Sequence, residues 1–146
     1  MAWVPYDLYK KALLDPTLAA IDHNSSVFRI MLLDNGHSLG RATHDFVDDV
    51  VADEVTGTNY ARIELTSPTV SGPVANVITW DATEPATPHW ATSGAGFSDA
   101  RYAILFAFIT DDASSPLIAY HDFTTDKGNV TGDLSIQLDA LGIATL

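Results

Sequence analysis

Residues 99–123 read DARYAILFAFITDDASSPLIAYHDF, and the fold turns on this stretch. Every residue from 102 to 109 is apolar, and five of those eight are aromatic or β-branched. The apolar character resumes over residues 116–123, after Asp111, Asp112, Ala113, Ser114 and Ser115. Apolar runs this short, bounded by turn residues, predict a hairpin of two inner strands, the first covered on both faces. The polar residues 111–115 are expected as its exposed tip and a candidate contact point.

Working outward, residues 26–33, SVFRIMLL, predict another inner strand, with Arg29 the one plainly polar position. Asp34-Asn35-Gly36 then supplies turn chemistry, because Asn and Gly accept positive φ. Upstream, residues 5–14, PYDLYKKALL, form the best helix candidate. Pro5 suits a first helical position and Asp7 the electropositive first turn. Tyr6, Tyr9 and Leu13 share a stripe, and Pro16 closes the helix. Asp15-Pro16-Thr17 is expected to cap a second short turn through Ala20. Trp3 and Val4 require cover from this domain or a neighbour.

Residues 44–55 carry five acids and helical spacing at Phe46, Val47 and Val50, which predicts a short helical turn. Residues 52–59 are expected to cross the surface with a bend at Gly57. Residues 60–65, YARIEL, alternate as a half-exposed strand. Two more short strands, 69–70 and 74–80, are expected around a turn at Ser71-Gly72-Pro73. Residues 81–100 lack a pattern, and are read as a functional loop or an unrecognised strand with Trp90 packed on something. Residues 132–138, GDLSIQL, alternate as a strand after a turn at 126–129, and residues 142–146 extend or re-enter that sheet. The expected fold is mainly β: one domain over 1–146, an antiparallel β-sandwich or barrel of about seven to eight strands with one short N-terminal helix.

Composition narrows the function classes. The chain of 146 residues is 47% apolar and 18% charged, enough to bury a core and too apolar for extended disorder. No apolar run approaches the roughly 18–20 residues of a membrane span. The start MAWVPYDLYKK lacks a basic n-region followed by an apolar stretch, so synthesis in the cytoplasm without a signal peptide is expected. There is no cysteine, which removes disulfides, thiolate zinc sites and a cysteine nucleophile. The formal net charge is −12. Arg29, Arg41, Arg62 and Arg101 are isolated, and Lys10-Lys11 is the one basic pair, so neither nucleic acid nor an anionic membrane is an expected partner. Acidity favours solubility and permits docking on a basic protein.

Asp45, Asp48, Asp49, Asp53 and Glu54 offer oxygens to a cation such as calcium, but valines interrupt them and no alternating Asp/Asn loop with a central Gly is present. They are read as a solvated acidic face. His23, His37, His44, His89 and His121 show no HxH or HExxH spacing and are read as isolated surface or loop histidines. His44-Asp45 and His121-Asp122 suggest a triad, yet Ser71-Gly72 and Ser93-Gly94 lack a nucleophile elbow. Trp80, Trp90 and Tyr102 suit a sugar-stacking face or a core, and the core is preferred. GAGF at 94–97 has neither the preceding strand nor the following Lys of a phosphate loop. No catalytic, cofactor-binding or metal-ligating residue is assigned, and the chain is expected not to be an enzyme.

Five stretches, in order, carry a resemblance: YDLYKKALL (6–14), VFRIMLLDNGH (27–37), HDFVDDVVADEVTGTNYA (44–61), ARYAILFAFITDDASSPLIAYHDF (100–123) and GDLSIQLDALGIATL (132–146). Together they resemble small virion structural proteins of tailed bacteriophages. Residues 59–65 are less Gly-rich than that family's pattern, and residues 81–100 are longer. The resemblance implies a non-enzymatic role in the virion: a capsid decoration (cement) protein that binds outside the major capsid shell and stabilises it, in many copies and as a homo-oligomer. Its expected partner is the major capsid protein or another virion protein. A head–tail connector or tail-associated protein is the alternative within the virion. A carbohydrate-binding module for host recognition, using Trp80 and Trp90, is the alternative from another class. Trp3, Tyr6 and Tyr9 are expected either to anchor a neighbour or to pack on the domain itself.

Overall fold

The computed structural model describes residues 1–15, 21–75, 77–139 and 143–145. The 99–123 stretch forms β5 (Ala100–Phe108) and β6 (Leu117–Lys127), as its pattern predicts. Ala103, Ile104, Leu105, Phe106 and Ala107 are consecutive and fully buried, so both faces of β5 are covered. β5 lies between β6 and β2 (Val27–Asp34). The expected strand 26–33 is therefore present, with Phe28, Ile30, Met31, Leu32 and Leu33 all fully buried.

The remaining strands are β1 (Val4–Pro5), β3 (Ile63–Val74), β4 (Val77–Thr83) and β7 (Ala144–Thr145). Among the described residues, all pair antiparallel in one sheet of order β1-β6-β5-β2-β3-β4-β7. The architecture is mainly β: a single antiparallel sheet curled into a half-barrel, with one short N-terminal helix. β3 makes the curl. Residues 63–65 pair with β2, whereas residues 66–74 pair with β4. The register slips between Thr66 and Thr69, where Ser67 takes a φ of 50°. Such irregularities bend a strand and increase its twist. As a result Phe28 of β2 and Trp80 of β4 meet edge to face with centroids 4.8 Å apart. Backbones two strands apart in a flat sheet are separated by about 9–10 Å.

Several expectations are corrected. The helix α1 spans Asp7–Leu14, not 5–14. Pro5 instead sits in β1 beside Ala119, at a sheet edge where its missing N–H costs no ladder bond. Tyr6, fully buried, precedes the helix in extended conformation, its N–H donating to the Ile118 carbonyl at 2.9 Å. The helix stops before Asp15, which is extended as expected of a residue preceding proline. The second turn expected through Ala20 lies outside the described residues. Asp34-Asn35-Gly36 turns without positive φ, because the Asp34 carboxylate accepts from the Gly36 N–H at 2.8 Å.

Strands expected separately at 60–65 and 69–70 are one strand, β3, and Ser71-Gly72-Pro73 is not the hairpin turn. Val74 faces Val77, and Ala75 takes the positive φ (51°) that tight hairpins require. Gly72, at φ 103°, is absorbed as a second register irregularity inside the strand. Residues 132–138 alternate as predicted, with Ile136 and Leu138 buried, but they form no strand. They run beside residues 84–92, where Pro85 and Pro88 supply no N–H to a ladder. One bridge, Trp90–Leu134, is backbone-paired. Elsewhere side chains replace carbonyls: Ile136 N–H donates to His89 Nδ1 at 3.1 Å, and Leu138 N–H to the Glu84 carboxylate.

Candidate functional site

The segment most unlike the rest of the surface is the β3–β4 hairpin. No charged residue occurs between Glu64 and Asp81, in a chain of net charge −12. Past its pairing with β2, the hairpin runs on as an arm whose side chains are mostly exposed, its β4 edge paired with β7 at Thr79 and Trp80 and its end beyond them two-stranded. Val74 is 74% exposed, and Val70, Val77 and Ile78 are each about 40% exposed. Asn24 holds the arm to the body, its side-chain oxygen accepting from the Val70 N–H at 2.9 Å. An exposed hairpin end without charged side chains is suited to association, since charges are the usual device that blocks it.

The arm forms one wall of an apolar groove of about 510 Å³ in the concave face of the sheet. Tyr9, Lys10 and Leu13 of α1 line it, opposite Trp80 of β4 and beside Ile118 and Ala119 of β6. His23 packs edge-on to Trp80 (4.9 Å, 89°) and bonds to the Tyr9 hydroxyl at 2.7 Å. Desolvation lowers the His23 pKa against the opposing pull of Asp22, so the neutral imidazole is favoured. Burial pushes the Tyr9 hydroxyl up to about 12.

Three of the five acids, Asp49, Asp53 and Glu54, go to separate partners. Asp49 accepts from the N–H groups of Asp45 and Phe46 (2.8 and 3.0 Å), which lowers its pKa and starts a 3₁₀ turn at Val47–Asp49. Asp53 bonds to His37 at 2.7 Å. Glu54 receives Arg62 in a fork (2.9 and 2.7 Å) and the Tyr60 hydroxyl at 2.7 Å. Among the described residues no three His, Asp or Glu side chains are grouped to hold a metal.

Of the histidines expected as isolated surface or loop residues, His37, His44 and His89 do lie in loops, but they are not isolated. His37 is buried and its ring lies 5.3 Å from that of His44. His89 accepts from Ile136 and bonds to the Pro85 carbonyl at 3.1 Å, and His121 bonds to the Ala2 carbonyl at 2.7 Å. His89 pins a loop, because its imidazole bridges a donor and an acceptor that no strand ladder serves. The isolated arginines are each ion-paired: Arg29 with Glu64, Arg41 with Asp7, Arg62 with Glu54 and Asp112, and Arg101 with Asp122.

The tip at 111–115 is not a free loop. Asp111 caps a 3₁₀ turn at Asp112–Ser114, Ser115 is fully buried, and Asp112 grips Arg62 at 2.6 and 2.9 Å. Trp90 is fully buried with its indole N–H donating to the Ala61 carbonyl at 2.8 Å, so it offers no face to a sugar. Tyr6 and Tyr9 pack in the domain's own core, while Trp3 is half-buried beside the groove.

Two features escaped the sequence reading. The arm's missing charge is visible in residues 65–80 once charge spacing is examined in an acidic chain. Asn129, in contrast, is a buried hub that carries no sequence signal beyond a turn: its side chain bonds Phe97 N–H and the carbonyls of Thr58 and Ala91 (2.9, 3.1 and 2.9 Å). No protein-family model, curated protein or solved structure matches the chain.

Proposed function

We propose that this chain is a non-enzymatic structural protein of a tailed-bacteriophage virion, and that it decorates the outside of the major capsid shell. The sequence resemblance supplies the class. The structural observation that carries the reading is the uncharged, apolar-tipped β3–β4 arm on a protein of net charge −12. An arm of this kind desolvates cheaply against a partner, while the acidic body resists packing on its own copies away from the particle. Binding only to the assembled shell stabilises it by mass action, and a symmetric oligomer on the lattice adds avidity. The finer architecture proposed is a barrel or sandwich completed around the open concave face when the protein is seated.

The test is imaging of purified particles together with a copy count. Hundreds of copies on the outer shell support decoration. About a dozen or fewer at the neck or tail would instead support the connector or tail reading. Particles lacking the protein are expected to assemble but to open at lower temperature, and unchanged heat resistance would count against decoration.

A further inference from the structure

We propose that the end of the β3–β4 arm is the contact through which two copies of this chain pair, face to face about a two-fold axis. Cross-strand partners in an antiparallel pair project on the same face. Ser71 lies opposite Thr79, and Val74 opposite Val77; residues 77 and 79 share a side through the strand period of two. One face of the arm end therefore presents two valines and two hydroxyls. Val74 is 74% exposed, and Ser71 and Val77 are exposed as well. The valines offer apolar area, and each hydroxyl both donates and accepts, so the face is complementary to itself, as a two-fold contact requires.

Charge identifies the occupant as a second copy. The chain carries nineteen acidic residues against seven basic ones, so a basic partner is drawn to the acids of the body. A surface cleared of charge from residue 65 to residue 80 answers the opposite case, a partner that is itself acidic. Another copy, at net charge −12, is such a partner, and arm end against arm end sets no acid on an acid. The contact is a face and not an added strand, because the edges are occupied or blunted. On β3, Pro68 and Pro73 have no N–H to offer, and the Val70 N–H is taken by Asn24. On β4, Thr79 and Trp80 pair with β7. Four residues are fewer than the roughly 20–30 per side of stable complexes. The pairing is therefore weak in dilute solution and gains from the high local concentration of copies on a lattice. For that setting alone the inference rests on the decoration reading.

The experiment is sedimentation equilibrium of the purified full chain, without particles, over a range of protein and salt concentrations. A monomer–dimer equilibrium is expected. It should tighten about tenfold from about 0.01 M to about 0.15 M salt, as the Debye length falls from about 30 Å to about 8 Å and repulsion between the two bodies is screened. Val74→Glu and Val74→Lys should each be monomeric with unchanged melting temperature, because the two-fold sets like charge beside like charge. An equimolar mixture of the two variants should pair again. A chain that stays monomeric under every condition, pairing that weakens with salt, pairing that survives Val74→Glu, or a mixture that fails to pair would each overturn the contact. Since no shell is present, none of these outcomes bears on the decoration reading, which stands or falls on the particle images.

Discussion

The side-chain oxygen of Asn129 lies 1.9 Å from where a Cβ on Gly96 would stand. Only a glycine at 96 lets Asn129 reach the Phe97 N–H, and from that one position Asn129 also holds residues 58 and 91. The long irregular segment is ordered by this contact and by Trp90, with backbone groups paired to a side chain instead of to a strand.

Asn129→Ala should therefore destabilise the protein by about 2–3 kcal/mol, since it strands one N–H and two carbonyls around a buried site. Gly96→Ala should do comparable damage by displacing the same side chain. Urea unfolding measures both. The double variant should lose much less than the sum of the single changes, because both break one contact; additive losses would mean the two residues act separately.

Arg62 joins three elements: Glu54 after the second 3₁₀ turn (Val51–Asp53), Asp112 at the hairpin tip, and the face of Phe106 at 5.4 Å. Arg62→Met should cost about 1–2 kcal/mol, below the cost of breaking a fully buried pair because these groups are partly exposed. Arg62 holds the Asp112 pKa below its ordinary value. The stability this contributes is complete above the unfolded carboxylate pKa of about 3.9 and is lost as pH falls through the lower folded value. Arg62→Met should flatten acid unfolding below about pH 4, measured by circular dichroism.

His23 acts in a higher window. Burial lowers its folded pKa, so the unfolded chain takes up a proton first. Its contribution is complete above the unfolded value of about 6.5 and erodes as pH falls toward the folded value. The melting temperature should drop between pH 7.5 and pH 5, and His23→Gln should reduce that drop. An identical drop in the variant would assign the pH dependence elsewhere.

Trp90→Phe should cost less than Trp90→Ala, for which about 3–5 kcal/mol is expected from the cavity alone. The Phe variant retains stacking on Tyr60 (6.2 Å, 17°) but leaves the Ala61 carbonyl without its donor. Thermal unfolding ranks the two; because both lose the hydrogen bond, equal losses would mean that the ring's packing contributes little beyond it.

On the arm, Val74→Glu should change stability by no more than about 0.5 kcal/mol, as at other exposed sites. The same change should abolish attachment to particles if the arm is the contact. Cosedimentation with particles lacking the protein measures it, and wild-type attachment by the variant would remove the arm from the interface.

Period and run length alone determined the centre of the fold. The apolar runs 102–109, 116–123 and 26–33 could be read because a buried strand must be apolar on both faces, a demand each residue meets locally. α1 was legible for the same reason, apart from the placement of Pro5, which is compatible with either a helix start or a sheet edge. What only the tertiary structure decided are matters of partnership across distance. Residues 132–138 have strand alternation but face prolines, so no ladder forms. β3 runs through the glycine that looked like a turn, because a bulge absorbs it. The curl that sets Trp80 against Phe28 and opens the apolar groove arises from a register slip near Ser67, which no periodicity records. The arm's missing charge was present in the sequence all along, but its exposure depends on where β2 begins. Local preference is written residue by residue, whereas register and cover belong to pairs of segments far apart in the chain.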